Sequence, residues 1–436
     1  MTRRGSRRIG LGVLGALAAL ACTESLTAPG QCPNFCPTTA IGLTDVILTS
    51  AIVRDSAYGR PIGYVNPPSD TVLLADSLPS VDSRPILRFG SVATREVIAR
   101  NDTTTGPLLA PAAVRVRLHL VRRDTAAHNL RLKFYRLPLS IDSTTTFAAL
   151  VDSFNVTPVR SINVDSLLAK AGGVDTVTGD SVTVDSAYAS LRRLVFAFKF
   201  DSLQIPWSPA DSGKVALGIR VSADVPTTVA IAATESGAGA GITWESRLDS
   251  AGTFVIRKQS PAATFDSFVF DPPAPALDSN LAVGGMPSAR SLLRVDLPRG
   301  IRDSTQIVRA TLILVPAVAA QGAPGDSFFV AVNQVAADFG AKSPPSFTLR
   351  PDSVTILVGK KDTVTVEVTN ILRAWQSDTT IPHALLLRQL REIPKAGSLL
   401  LEGATFSEIR FYSSRALGVS PALHLTYIPR YQFGKP

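Results

Sequence analysis

Short segments in which apolar and polar residues alternate recur along most of this chain. Residues 114–120 read Val-Arg-Val-Arg-Leu-His-Leu, and residues 130–134 read Leu-Arg-Leu-Lys-Phe. Successive side chains of a β-strand point to opposite faces of its sheet, so a period of two predicts strands with one buried face. Most such segments end in Gly, Pro, Asp or Ser, which are typical of turns. The pattern therefore predicts an all-β fold.

The strand-like segments occur twice in the same order, with a boundary near residue 250. This order predicts two tandem β-sandwich domains, jelly-roll-like, at residues 41–250 and 251–436. An insertion at about residues 139–191 distinguishes the first domain and contains a short predicted helix with Asp165 or Ser166 near its N-cap. The corresponding segments are 85–89 and 291–295, 114–120 and 309–315, 130–137 and 328–335, 193–200 and 363–368, 215–221 and 384–390, and 228–244 and 408–427.

The second copy resembles a known family of β-sandwiches. Residues 291–298 (Ser-Leu-Leu-Arg-Val-Asp-Leu-Pro), 308–312, 366–375 and 411–427 are similar, in this order, to blocks of the DNRLRE domain. The resemblance extends over residues 265–429. It implies a bacterial extracellular jelly roll and, because some members of that family bind alginate-type polymers, recognition of an anionic polysaccharide.

The first 22 residues predict export. Four arginines lie within residues 1–8, and an apolar run follows to Ala21. That run is shorter than the roughly 20 residues a membrane span needs, and it predicts a cleaved signal peptide at residues 1–21. Ala19-Leu20-Ala21-Cys22 resembles the lipobox of bacterial lipoproteins, which implies lipidation of Cys22 and a membrane anchor. Ser6-Arg7-Arg8 leaves twin-arginine export open, although Ile9 favours the general secretory route.

A modest basic excess remains after the predicted leader is removed. The chain is 45% hydrophobic and carries a formal charge of +9, which falls to +5 when the four leader arginines are removed. Thr23 stands where many lipoproteins retained in the inner membrane have Asp, so the outer membrane is the favoured location, at its periplasmic or cell-surface face. Residues 22–40 contain several prolines and predict a flexible tether.

Two further cysteines lie close together within the tether. Cys32 and Cys36 are four positions apart, and outside the cytoplasm such a pair most simply forms a disulfide. Free or metal-bound thiols remain the alternative. The absence of a neighbouring histidine or second cysteine pair disfavours a zinc site.

The sequence contains no recognisable catalytic or cofactor motif. It has four histidines in all, without zinc-ligand spacing, and it lacks a nucleophile elbow and a phosphate-binding loop. Most aspartates precede Ser or Thr, which is typical of turns and does not form a calcium loop. We therefore expect a non-enzymatic protein without a metal or cofactor. A polysaccharide-degrading enzyme with carboxylates from distant strands is a less favoured alternative.

Two predicted strands carry a basic polar face. If they pair as antiparallel neighbours, their outward residues form one cationic surface suited to an acidic glycan, because guanidinium groups bind carboxylates bidentately. A solvated surface without a ligand is the simpler interpretation, and an envelope scaffold that binds another protein is the alternative function. Nucleic acid is disfavoured for an exported protein with few aromatic residues. The candidate residues are Arg115, Arg117, His119, Arg131, Lys133 and Tyr135.

Overall fold

A computed structural model of the chain consists mostly of strands joined by turns, which confirms the all-β prediction. No helix among the described residues is both long enough and apolar enough to cross a membrane. The signal peptide, Cys22, Cys32 and Cys36 lie outside the part of the chain that the structure describes. That part comprises residues 42–58, 72–96, 106–184, 194–201, 214–250, 253–271, 279–390, 402–403 and 405–429.

The first sequence repeat supplies twelve of the described strands and two short helices. The strands are β1 Thr44–Leu48, β2 Ile52–Ala57, β3 Val72–Ser77, β4 Asp82–Phe89, β5 Ala110–Arg123, β6 Arg131–Arg136, β7 Arg160–Asn163, β8 Ser181–Val184, β9 Leu194–Asp201, β10 Val215–Ser222, β11 Thr227–Ala232 and β12 Gly241–Ser250. The helices are α1 Val151–Phe154 and α2 Val164–Leu168.

The second repeat supplies eleven described strands and two further helices. The strands are β13 Thr253–Gln259, β14 Ala263–Phe270, β15 Asn280–Gly284, β16 Ser291–Val295, β17 Thr305–Leu314, β18 Ser327–Gln334, β19 Asp352–Leu357, β20 Val364–Glu367, β21 Ala384–Leu390, β22 Glu408–Tyr412 and β23 Ala422–Pro429. The helices are α3 Arg299–Ser304 and α4 Thr369–Ser377.

The strands form two bodies, each with its own apolar core. In the first body twelve strands join one sheet, ordered β13-β12-β5-β11-β3-β4-β10-β6-β7 with β8, β9 and β14 attached. Strands far apart in that order, such as β5 and β6, contribute to the same core, so the sheet is curled. The second body is sandwich-like: sheets β1-β23-β17-β20 and β19-β18-β21-β16-β2, with the pair β15-β22, enclose one core. Two tandem jelly-roll sandwiches stay a prediction.

The repeated order of segments in the sequence reappears as a repeated pattern of strand pairing. In the first body β5 pairs with β9 and β12, and in the second body β17 pairs with β20 and β23. Similarly, β10 pairs with β4 and β6, whereas β21 pairs with β16 and β18. Equivalent strands thus have equivalent neighbours in both bodies.

The first two strands of each repeat pack in the other repeat's body. β1 pairs with β23, placing Thr44 opposite Tyr427, and β2 pairs with β16. In return β13 pairs with β12 and β14 with β4. The bodies therefore differ from the predicted ranges 41–250 and 251–436, because Ile52 is buried in the second core and Phe268 packs against the first. We call residues 44–57 and 253–270 the exchanged arms.

The predicted insertion covers part of the first body's outer surface. Leu150 and Phe154, at α1, pack on Tyr135 of β6. The short helix predicted in the insertion is present as α2, but its N-cap is Asn163, whose side chain accepts a hydrogen bond from the Ser166 backbone N–H at 2.9 Å. This arrangement satisfies an otherwise unpaired donor of the first turn.

The two bodies meet through an apolar cluster. Leu74 and Ala230 of the first body lie against Met286 and Phe406 of the second. A cleft of about 480 Å³ opens beside this contact and is lined partly by Pro79 of the first body. Burial of apolar surface between them makes the two bodies one packed unit.

Candidate functional site

The predicted cationic face is divided between two distant places. β5, which carries Arg115, Arg117 and His119, pairs with β9, β11 and β12. β6, which carries Arg131 and Lys133, pairs with β7 and β10. Four strands, β11, β3, β4 and β10, separate the two in the sheet order. The expected single face is therefore not formed, because other strands occupy both edges of β5 and of β6.

The β6 row also lacks the expected exposed tyrosine. Tyr135 is 4% exposed, and its ring centroid lies 5.0 Å from that of Phe154 in the insertion. Lys133 is partly exposed and faces Arg220 of β10 in register, while Arg131 is exposed at the start of the strand. Arg220 is itself paired with Asp82 at 3.1 Å. The outward residues of β6 are therefore partly covered by the insertion, and the carboxylate of Asp82 already pairs with the neighbouring Arg220.

The β5 row forms a compact group of charges with the neighbouring hairpin β12–β13. Arg115 Nε donates a hydrogen bond to Glu245 Oε1 at 3.0 Å, and Lys258 Nζ lies 3.7 Å from the same oxygen. Arg117 is exposed, and its guanidinium lies beside Gly241. The exposed Arg247 follows Glu245 by two positions on β12. We call Arg115, Arg117, Glu245, Arg247 and Lys258 the Arg115 cluster.

Strand register brings these residues to one outer face. Arg117 lies opposite Gly241, Arg115 opposite Thr243, and Glu245 opposite Lys258. Directly opposed residues of antiparallel strands share a face and have Cβ atoms about 5 Å apart. The alternate residues Val114, Val116 and Leu118 are buried in the core. The local alternation along β5 therefore exposes its arginines.

Hydroxyl groups lie next to the charged side chains. Thr243 Oγ1 and Ser260 Oγ are 2.9 Å apart in a mutual hydrogen bond. Gly241 has no side chain, so the Arg117 guanidinium lies close to the strand backbone. His119 continues the same face but is only partly exposed. The face thus combines cationic groups with hydroxyl donors and acceptors.

The exposure of the cluster differs between its carboxylate and its cations. The Glu245 side chain is 14% exposed, whereas those of Arg115 and Lys258 are 41% and 67% exposed. The carboxylate thus lies beneath the cations and holds two of them in place. The Arg115 cluster contains four cations and one carboxylate, so its residues carry a net positive charge that a bound anion can neutralise through charge-assisted hydrogen bonds.

Glu245, Arg247 and Lys258 were not among the residues singled out from the sequence. Two signals point to them: residues 242–245 alternate as Ile-Thr-Trp-Glu, and two residues, Ala251 and Gly252, connect this segment to the next apolar one. Such a short connection containing Gly is typical of a β-hairpin. The structure closes a hairpin there, with Ser250 opposite Thr253, at the place expected to separate two domains.

No protein-family model and no curated protein sequence matches this chain. The resemblance to the DNRLRE domain therefore stays a prediction. Among the described residues, no group of three or more His, Cys, Asp or Glu side chains is arranged to hold a metal ion.

Proposed function

We propose that this protein is a non-enzymatic, exported lipoprotein that binds an anionic polysaccharide through the Arg115 cluster. Its signal peptide would direct export, and lipid on Cys22 would anchor it at the bacterial outer membrane. The observation that supports this proposal best is the gathering of Arg115, Arg117 and Lys258 on one exposed face around Glu245. A cationic face held at the envelope surface suits an acidic polymer.

The chemistry of the cluster favours carboxylates of a sugar chain. Guanidinium groups match carboxylates with two parallel hydrogen bonds, and ammonium groups add an undirected positive charge. Glu245 restrains Arg115 and Lys258, which lowers the conformational entropy lost on binding. The hydroxyls of Thr243 and Ser260 add donors and acceptors for sugar hydroxyls.

A binding assay with immobilised polysaccharides tests the proposal. The full chain is applied to alginate and to neutral dextran, and we expect retention on alginate alone, decreasing as salt screens the charges. The double variant Arg115→Ala/Arg117→Ala should bind at least about tenfold more weakly, because each charge-assisted hydrogen bond contributes about 1.5–3 kcal/mol. Equal retention of wild type and this variant would contradict the proposal.

A matched control comes from exposed cations of the second body. Arg309 is paired with Glu367 in the same way that Arg115 is paired with Glu245, and its side chain is 70% exposed. Lys361 is also exposed. The double variant Arg309→Ala/Lys361→Ala removes the same number of positive charges, so it should leave alginate binding almost unchanged if the Arg115 cluster is the site.

A second candidate function is an envelope scaffold that binds another protein. Phe254, Val255 and Ile256 form an apolar stretch on exposed strand β13, with exposures of 57%, 43% and 39%. Exposed apolar stretches of this kind are typical of protein interaction sites. Crosslinking on intact cells discriminates between the two functions, because a scaffold should give one specific protein adduct and should not bind alginate.

A further inference from the structure

Strand β13 is an exposed edge of the first body's sheet. Within the described part of the chain it pairs with β12 alone. Six of its seven residues are exposed, and the seventh, Gln259, is partly exposed. An open edge presents unpaired backbone N–H and C=O groups on which another strand can form hydrogen bonds.

One side of β13 is partly covered by other segments of the chain. The Gln259 side chain accepts a hydrogen bond from the Ala93 backbone N–H and donates one to the Ala93 carbonyl, at 2.7 and 3.0 Å. Arg257 Nη2 lies 2.7 Å from Glu96 Oε1. The edge itself and the outer face, which carries Phe254 and Ile256, are therefore the surfaces left for a partner.

The register of the hairpin determines which backbone groups point outward. A two-residue connection closes on Ser250 and Thr253, which form a hydrogen-bonded pair in a hairpin of this length. Hydrogen-bonded and non-bonded pairs then alternate along the strands. Phe254, Ile256 and Lys258 belong to the non-bonded pairs, so their N–H and C=O groups face the open edge.

We propose that two copies of this chain associate through β13, paired antiparallel about a twofold axis at Ile256. Ile256 then lies opposite Ile256 of the second copy, and Phe254 lies opposite Lys258. All three outward-facing residues take part, and the three pairs exchange six backbone hydrogen bonds. An ammonium opposite an aromatic ring contributes a further favourable contact.

The side-chain pattern of β13 favours this register over its neighbours. Pairing centred on Val255 would oppose Phe254 and Ile256 in only two hydrogen-bonded pairs and would leave Lys258 without an opposite residue within the strand. Pairing centred on Lys258 would oppose two ammonium groups, which is destabilising. The Ile256 register avoids both problems and places the basic end of each strand against the apolar end of the other. This self-complementarity favours a second copy as the partner.

The dimer also extends the proposed binding face, a consequence that rests on the proposed function. A twofold axis perpendicular to the sheet places both Arg115 clusters on the same side of one continuous sheet. Five strand spacings of about 4.8 Å separate the two copies of β5, so these strands lie about 24 Å apart across the sheet. Two sites on one rigid surface bind a polymer with higher avidity than one site does.

Cysteine crosslinking without any polysaccharide tests the dimer independently of the function. In the full chain with its three native cysteines replaced by serine, Ile256→Cys should form a disulfide-linked dimer on mild oxidation. Opposed residues of a hydrogen-bonded pair have Cα atoms about 5.5 Å apart, within the range of a disulfide. Phe254→Cys should form no disulfide, because its opposite residue is Lys258, whereas Phe254→Cys/Lys258→Cys should crosslink.

Two controls define what would overturn the dimer. Leu417→Cys, at a position 99% exposed, reports random collision and should crosslink at background level. Ile47→Cys tests β1, the strand equivalent to β13 in the second body. Crosslinking of Phe254→Cys or Ile47→Cys as efficient as that of Ile256→Cys would overturn the proposal.

Analytical ultracentrifugation provides a second measurement without cysteine chemistry. Wild type should sediment as a dimer, and Ile256→Lys, which opposes two ammonium groups at the axis, should sediment as a folded monomer with an unchanged far-UV circular dichroism spectrum. A monomeric wild type at all concentrations would overturn the dimer. Alginate binding by such a monomer would leave the proposed function standing.

Discussion

Asp76 predicts an unusual pH dependence for the stability of this protein. Its side chain is 2% exposed where the two bodies meet, and Oδ2 has no hydrogen-bond partner among the residues that the structure describes. Burial raises the pKa of Asp76 from 3.8 to about 8, while the Arg122 charge lowers that pKa and Asp326 and Asp82 raise it. The neutral acid is therefore the form that the folded protein favours.

The sign and size of the effect follow from linkage between protonation and folding. Because the pKa of Asp76 is higher in the folded chain than in the unfolded one, its stabilising contribution is complete below pH 4. It is lost as the pH rises to about 8. Each pH unit within this window costs about 1.4 kcal/mol, so the contribution falls by about 2.5 kcal/mol between pH 5 and pH 7.

The substitution Asp76→Asn isolates this contribution, because an amide resembles the neutral acid in shape and does not titrate. Urea unfolding at pH 5, 6 and 7 should show the variant gaining about 2.5 kcal/mol relative to wild type across the series. In Arg122→Gln the loss of stability should extend to higher pH, since a cation that favours the carboxylate is removed. A constant difference between Asp76→Asn and wild type at all three pH values would refute the reasoning.

Two further predictions concern packing and a buried ion pair. A Cβ atom at Gly218 would overlap the ring of Phe154, so Gly218→Ala should lower the free energy of unfolding by about 1–3 kcal/mol, whereas Gly300→Ala, with open space around the position, should not lower it. Arg290 binds Glu402, which is 6% exposed, through two hydrogen bonds of 2.7 and 2.6 Å. Arg290→Ala should cost close to 3 kcal/mol in urea unfolding, the lower end of the range for a broken buried pair, and a loss below about 1 kcal/mol would contradict this.

Local alternation predicted the faces of individual strands well. Along β5 the apolar positions, such as Val116 and Leu118, are fully buried, and Arg117 is exposed. The alternation of side chains between the two faces follows directly from strand geometry, so it can be recognised in the sequence without tertiary information. Tyr135 shows the limit, because its strand face is covered by an insertion whose position no local pattern specifies.

Strand neighbours were harder to predict than strand faces. β1 and β13 are equivalent strands of the two repeats, and they begin with the similar runs Thr44–Ile47 and Thr253–Ile256. Each strand nevertheless joins the body formed by the other repeat. Both segments are edge strands with mostly exposed residues. The pattern of apolar and polar side chains therefore does not determine the partner of such a strand. Because the Arg115 cluster depends on the pairing of β12 with β13, it could be predicted only in part.

The exchanged arms have a consequence for the order in which this chain folds. The first body needs β14 before its sheet is complete, and it can therefore close while the last third of the chain is still unfolded. The second body requires β1 to meet β23, the two extreme strands of the described chain. Closing so long a loop is entropically costly, and contacts of high sequence separation form slowly. The strand nearest the predicted lipid anchor should thus be among the last to become fixed.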